Sequence, residues 1–292
     1  IYYKQRKTFL NYQNNAVKLY SKYQAHKYLQ IMNKHLTGLN AIVCGSTAGI
    51  GKATALLLAK NGANVTLLAR NEKKLKAVES ELDSSNGQKH DHYKIDFTKP
   101  EDLTAVMKVV TTNRDYAILV NNTGGPEGGA IIKANVNEFR NAFEQHLICN
   151  QLLVQSVFPS MKKNEFGRIV NVISTTVKEP ISDLGVSNTI RGAVANWSKT
   201  LANEIGQYGI TVNNVLPGFT ETQRLQQIIN NRTEKLNLSA QQVVDQMKQG
   251  VPKRRFGHVD EVADAIVYLA SKNSGYINGI NLPVDGGRTG SL

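Results

Sequence analysis

Residues 41–53, Ala41-Ile-Val-Cys-Gly45-Ser-Thr-Ala-Gly49-Ile-Gly51-Lys-Ala53, run from an apolar stretch through a glycine-rich turn into a helical pattern. Gly45 permits a tight turn where the strand ends, Gly49 lets the backbone approach a phosphate, and Gly51 lets the helix pack closely on the strand. The first turn of that helix then offers unpaired N–H groups and a partial positive charge. A second apolar run, Val65–Ala69, completes a βαβ unit of about thirty residues. This order predicts a pyrophosphate cradle made by Gly45, Ser46, Gly49, Ile50 and Gly51.

The same alternation continues outward. Apolar runs at Ala41–Cys44, Val65–Ala69, His92–Ile95, Ala117–Val120, Arg168–Ile173, Ile210–Val215 and Ile280–Val284 predict seven strands. Helical patterns fall between them, at Ile50–Asn61, Glu72–Leu82, Glu101–Asn113, Val136–Lys163, Gly185–Tyr208 and Val259–Ser271. The strand cores show little polar alternation, which predicts helices on both faces of a doubly wound, mostly parallel α/β sheet. Residues 32–292 read as one domain. Within it the polar stretch Gln223–Gln249 is helical in period, without a strand, and is the candidate for a flap over the site; Leu225, Ile228 and Ile229 read as its core.

Residues 1–31 differ from the rest, with six Lys or Arg, no acid, no glycine and six of the eleven tyrosines, and they carry about half of the formal charge of +12. They read as a translated upstream stretch, with Met32 as the natural start, in preference to a basic helical arm that packs on a partner subunit. Arg and Ser are too scarce there for a transit peptide. With that basicity set apart, no ordered basic and aromatic module remains, so nucleic acid is not expected as a partner. No apolar run approaches the roughly 18 residues of a membrane span, and no signal-peptide pattern appears, so a cytoplasmic protein is expected. Cys44 and Cys149 lack metal-ligand spacing and read as reduced core thiols.

The spacing Gly45-x-x-x-Gly49-x-Gly51 resembles that of the short-chain dehydrogenase/reductase family. Further stretches carry the resemblance over residues 38–288: Asp96-Phe97, Asn121-Asn122-Thr123-Gly124, Ser174, Val215-Leu216-Pro217-Gly218, Arg255-Phe256-Gly257 and Val284-Asp285-Gly286-Gly287. It implies a Rossmann fold and a nicotinamide cofactor held by Asp96, Phe97, Asn122, Gly124, Pro217, Gly218 and Thr220 besides the cradle. The run 122–126 and the pattern Ser187-Asn-x-x-Arg191 resemble a divergent branch labelled 3-oxoacyl-acyl-carrier-protein-reductase-like. The strand before the ribose site ends in Arg70, with no acid until Glu72, which favours NADP(H) over NAD(H). A solvated surface charge is the other reading of Arg70, and Ala48 before Gly49 lacks the base common in NADP-preferring relatives.

The family reduces carbonyls with a Tyr acid, a Lys four residues later, a Ser and a helical Asn. Here Ser174 matches the Ser, while Ser187 stands at the Tyr position, Arg191 at the Lys position and His146 at the Asn position. A serine hydroxyl is a far weaker acid than a phenol, and arginine does not deprotonate in proteins. Two readings follow. In one, a reductase of this family uses a replacement acid: His146, which ordinarily titrates near neutrality, assisted by Ser174 and Ser187, or Lys178. Arg191 then holds the nicotinamide ribose. The bland alternatives are a helix histidine satisfied by a backbone carbonyl and a solvated loop lysine. In the other reading the fold binds NADP(H) as a sensor or subunit without turnover. The expected partner is a small carbonyl or alcohol substrate, with an acyl thioester among the candidates, and the long helices at 136–163 and 185–208 suit a homodimer or homotetramer.

Overall fold

The computed structural model describes residues 35–112 and 114–291; the readings made for residues 1–31 lie outside these. Seven strands form one parallel sheet: β1 (Asn40–Cys44), β2 (Asn64–Ala69), β3 (Asp91–Lys94), β4 (Ile118–Asn121), β5 (Gly167–Val172), β6 (Ile210–Pro217) and β7 (Asn281–Val284). Their spatial order is β3-β2-β1-β4-β5-β6-β7, so the chain reverses direction across the sheet between β1 and β4. Doubly wound sheets bind ligands at that reversal, outside the C-terminal strand ends.

Successive strand residues point to opposite faces, and each face finds an apolar cover. Ala41 and Val43 of β1, with Ile118 and Val120 of β4, pack with α1 (Gly49–Lys60), α2 (Glu72–Glu81) and α9 (Val259–Ala270). Ile42, Cys44 and Leu119 face the other way, toward α3 (Pro100–Thr112), α5 (Cys149–Lys163) and α6 (Gly185–Ile205). Both cysteines are buried and unpaired. Among the described residues no helix is long and apolar enough to cross a membrane.

The long helical pattern at 136–163 is three pieces. The helix α4 (Val136–Phe143) opens on an Asn135/Glu138 capping box, passes through a π-helical turn at Glu144–Ile148, and resumes as α5. An apolar period near 3.6 does not register one turn of wider winding, so the sequence pattern ran through it. The β3 strand lies one residue earlier than its apolar run, and α6 ends at Ile205 before a 3-10 turn at Gly206–Tyr208. The polar stretch after β6 forms α7 (Gln223–Leu236) and α8 (Ala240–Gln249), joined through Asn237 in the left-handed conformation. Leu225 and Ile229 are buried against Val243, Met247 and Phe256, in a small apolar cluster of their own, with Ile228 at its side.

Four asparagines cross the sheet in register. Asn121 pairs with Asn171, Asn171 with Asn214, and Asn214 with Asn281. Each pair is also joined through its side chains: Asn121 Nδ2 donates to Asn171 Oδ1 (2.8 Å), Asn171 Nδ2 to Asn214 Oδ1 (2.9 Å), and Asn214 Nδ2 to Asn281 Oδ1 (2.8 Å). Asn171 also reaches Ser198 Oγ on α6, at 3.2 Å. Buried amides left without partners cost far more than made bonds gain. Asn171→Leu strands the Asn121 donor and the Asn214 acceptor at once. It is expected to lower the unfolding free energy by roughly 2–4 kcal/mol, read as a drop in the urea midpoint; an unchanged midpoint would remove the ladder from the account of stability.

Candidate active site

The glycine turn packs so tightly that side chains are excluded. A Cβ on Gly51 would lie 2.2 Å from Gly45 O, and one on Gly45, where φ is 58°, would lie 2.4 Å from Asn122 O. Asn122, just past β4, clamps the turn by donating from Nδ2 to Cys44 O (3.2 Å) and Gly45 O (3.3 Å). Helix α1 starts at Gly49 with no side-chain cap at Ala48 and no acid in its first turn. Helix geometry leaves the first N–H groups without intrahelical acceptors, so this end suits an anion. Ile50 contributes backbone there, since its side chain packs on the core.

Ser46 departs from its expected place. It is fully buried, and its Oγ donates to Leu68 O (3.4 Å). The hydroxyl braces β1 against β2 because the turn points it inward, and it does not face the cleft.

From this turn a cleft of about 550 Å³ extends over the C-terminal ends of β2, β3 and β4. Gly45, Arg70, Asp96, Phe97 and Gly124, all expected from the sequence, line it together. Arg70 is exposed at one end, and Lys74 stands beside it on the first turn of α2, whose cap is Asn71 Oδ1. Partial burial pushes the Asp96 carboxyl up, but the Thr98 N–H and hydroxyl bonds and the charges of Arg70 and Lys99 outweigh it and hold the group below its usual range. Pro217, Gly218 and Thr220 are tied to the last strand and its turn: Gly218 N–H donates to Val284 O (3.0 Å), and Thr220 bridges to Gly257. Past them, the Thr222 methyl lies 3.2 Å from where a Cβ on Gly49 would stand, so the start of α7 abuts the glycine turn.

The remaining candidates are not among the residues that line this cleft; they lie around the end of β5 and the start of α6, with His146 behind Thr123. Ser174, at the end of β5, accepts a bond on Oγ from Thr176 N–H (3.2 Å), which leaves its own hydrogen to donate. Ser187 is half-buried on the first turn of α6, beside a second hollow lined by Ile131, Ile181, Asp183 and Asn188. Arg191 follows one turn later, 8% exposed, with Nη1 donating to Val172 O (2.9 Å). Lys178 is half-buried on the loop after β5.

His146 does not titrate where a histidine usually does. It sits in the π turn, 2% exposed, with Nδ1 bonded to Thr123 Oγ1 (2.7 Å) and Nε2 without a partner. Burial first, and then the Arg191 charge, push its pKa down to about 2. The imidazole is therefore neutral near pH 7 and has no imidazolium proton to give. The sequence offered no sign that a histidine at this position is buried. Lys74, Thr123 and Gln145, whose Nε2 donates to Gly124 O (3.0 Å), were also missed. Lys74 alone carried a signal, one helical turn after Arg70.

The unfolded chain binds the His146 proton near pH 6.5 and the fold does not. Stability should therefore fall as pH drops below about 6.5 and go on falling toward about 2, by up to roughly 1.4 kcal/mol per pH unit. Urea midpoints between pH 7 and 5 are expected to follow this slope, and His146→Gln to flatten it by one proton's worth. A His146 ring resonance that titrates near 6.5 in the native protein would contradict the assignment.

Residues 45–289 match the family model described as Enoyl-(Acyl carrier protein) reductase. The chain is 28% identical to the NADPH-dependent reductase BacG of Bacillus subtilis over 258 residues, 86% of this chain and 98% of that protein. It is 33% identical to the 3-oxoacyl-(acyl-carrier-protein) reductase FabG of Vibrio cholerae over 257 residues, 87% of this chain and 98% of that one. The crystal structure of L-sorbose reductase from Gluconobacter frateurii, complexed with NADPH and L-sorbose, superposes with a TM-score of 0.82 at 27% identity, covering 89% of this chain and 100% of the other. With the family model matched over most of its length, on this sheet order and this glycine cradle, the chain belongs to the short-chain dehydrogenase/reductase family.

Proposed function

We propose that the protein is an NADP(H)-dependent oxidoreductase that moves hydride between nicotinamide and a small carbonyl or alcohol substrate, with a proton route that uses no tyrosine. One observation carries the cofactor assignment: the cleft that starts at the glycine cradle ends on two cations, Arg70 and Lys74, where a ribose 2′-phosphate would lie. Relatives named as NADPH-dependent or solved with NADPH support it. NAD(H) is the weaker fit, because no acid faces the ribose position right after β2.

The residues present fit the dinucleotide. The turn at Gly45–Gly51 and the start of α1 would hold the pyrophosphate, Asp96 and Phe97 would flank the adenine, and Asn122, Gly124 and Arg191 would line the nicotinamide end. When bound in reduced form, the cofactor supplies the hydride, so that carbonyl, NADPH and a proton give alcohol and NADP+. Ser174 orients the carbonyl oxygen with the hydrogen that its bond from Thr176 leaves free. Ser187 adds a second hydroxyl from α6. Neither is acidic enough to give up a proton at neutral pH, and His146 is neutral. The proton therefore comes from Lys178, on the loop after β5, or from solvent, relayed through the serine hydroxyls. His146 positions Thr123 at the cleft wall. An acyl thioester would lay its chain into the hollow beside Ile131 and Asn188.

Ile132, in the 3-10 turn before α4, and Val136, Phe143 and Ile148, along α4 and the π turn, expose apolar side chains, which supports a homodimer or homotetramer through that region.

Consumption of NADPH by the purified protein against ketones, quinones and 3-oxoacyl thioesters tests the activity. Binding of NADPH without turnover on any of them would assign the protein to the sensor or subunit reading. Arg70→Ala is expected to weaken NADPH binding roughly 10- to 100-fold, the loss of one charge-assisted contact, while NADH binding hardly changes. Equal loss for both cofactors would remove Arg70 from the 2′-phosphate site.

A further inference from the structure

Two arginines without an ion-pair partner among the described residues flank the segment that follows β4. Arg191 is buried at the end of β5, and its Nη2 lies 3.6 Å from where a Cβ on Gly125 would stand. Arg224, half-buried on the first turn of α7, donates from Nη2 to Pro126 O (2.6 Å). The segment Gly125–Pro126 thus runs between two guanidinium groups. Neither makes an ion pair among the described residues. Burial and then the like charge of Arg224 push the Arg191 pKa down to about 10. Beside them His146 Nε2 is buried without a partner.

This arrangement is costly in the absence of a ligand. A buried charge without a counter-charge is disfavoured, and Arg224 stands at the positive end of the α7 dipole, in a first turn that has no acid. Both costs are relieved by an anion. The cofactor's own phosphates are provided for elsewhere, by α1 and by Arg70 with Lys74. Arg191, by contrast, shares its helix with Ser187 and is bonded to Val172, two residues before Ser174. The anion therefore belongs next to the reacting carbonyl.

We infer that the substrate is a small oxo acid whose carboxylate is received by Arg224 in the field of Arg191, beside the Gly125–Pro126 segment. This inference rests on the reductase reading above for the carbonyl, but not for the carboxylate. An arginine fork can take both oxygens of a carboxylate, while an ester of the same shape presents no charge to it.

The test uses matched pairs, acetoacetate with methyl acetoacetate and phenylpyruvate with its methyl ester, on the full protein saturated with NADPH. Two readouts run side by side: NADPH consumption, and the shift in thermal unfolding on adding each compound. The acids are expected to be reduced at least about 10-fold more efficiently than the esters, the worth of one charged contact, and to raise the unfolding temperature where the esters do not. Arg224→Gln should bring acid and ester to within about 3-fold of each other without weakening NADPH binding, and Arg224→Lys should restore part of the preference. The unfolding scan also reports whether each variant is folded. Equal handling of acid and ester, in rate and in thermal shift, overturns the inference. So does a loss of NADPH affinity in Arg224→Gln that accounts for its whole effect, since the anion would then be the cofactor's phosphate. Should no compound be reduced while the acids alone still raise the unfolding temperature, the reductase reading fails and the carboxylate site stands.

Discussion

The amide ladder from Asn121 through Asn171 and Asn214 to Asn281 is the constraint on which the site depends. In a sheet covered by helices on both sides, a strand that slips by one residue exchanges one apolar face for another, so burial alone specifies register weakly. Here a slip would separate three side-chain pairs, two of them buried, with a desolvation penalty of about 1–3 kcal/mol per orphaned buried group. The site residues project from just beyond this row. Asn122 follows Asn121, Ser174 lies three residues past Asn171, and Gly218 four past Asn214. One fixed row thus sets the relative heights of the glycine clamp, Ser174 and the loop that leads into α7.

The fold was legible because its signals are local or periodic. The glycine turn reads from five residues, since only a strand end, a tight turn and a helix start together require that spacing. The seven strands read from apolar runs with a boundary error of a residue or two. What escaped the sequence depends on contacts distant in the chain. The asparagines lie tens of residues apart and look like scattered polar interruptions until the strands are paired. The π turn at Glu144–Ile148 leaves the apolar period nearly unchanged, yet it is where His146 stands buried, far from the near-neutral titration expected of an ordinary histidine. Ser46, read as part of the cradle, turns inward because the residue after Gly45 must bridge to β2. Arg224 carried no signal, since a basic residue in a polar helix reads as solvated surface.

The charges in the cleft are arranged in two groups with different physical situations. Arg70 and Lys74 lie in water, where a cation without a partner costs little and one meeting a phosphate gains modestly. Arg191 is desolvated and held by a backbone carbonyl, where an unmatched charge costs much and a matched one gains much. A Lys at position 191 would present one compact ammonium, whose charge burial could remove by deprotonation. The guanidinium keeps its charge, and its field adds to the burial that keeps His146 a neutral ring. The guanidinium of Arg191 and the imidazole of His146 thus belong to one electrostatic arrangement, a buried permanent cation beside a neutral ring.

That arrangement also bears on how the site would admit and hold a ligand. The helices α7 and α8 pack on one another around Leu225, Ile229, Val243 and Met247, so the pair has a small core separate from the two that flank the sheet. Polar links tie it to the cleft: Arg224 to Pro126 O, and Lys235 to Asp183 at 2.6 Å on the surface. The second is solvent-exposed and contributes little. The first joins α7 to the segment after β4, and its arginine makes no ion pair among the described residues. An anion bound there would add a charge-assisted contact to the first of these links. Binding of such an anion and the seating of α7 against the segment after β4 would then be coupled through Arg224.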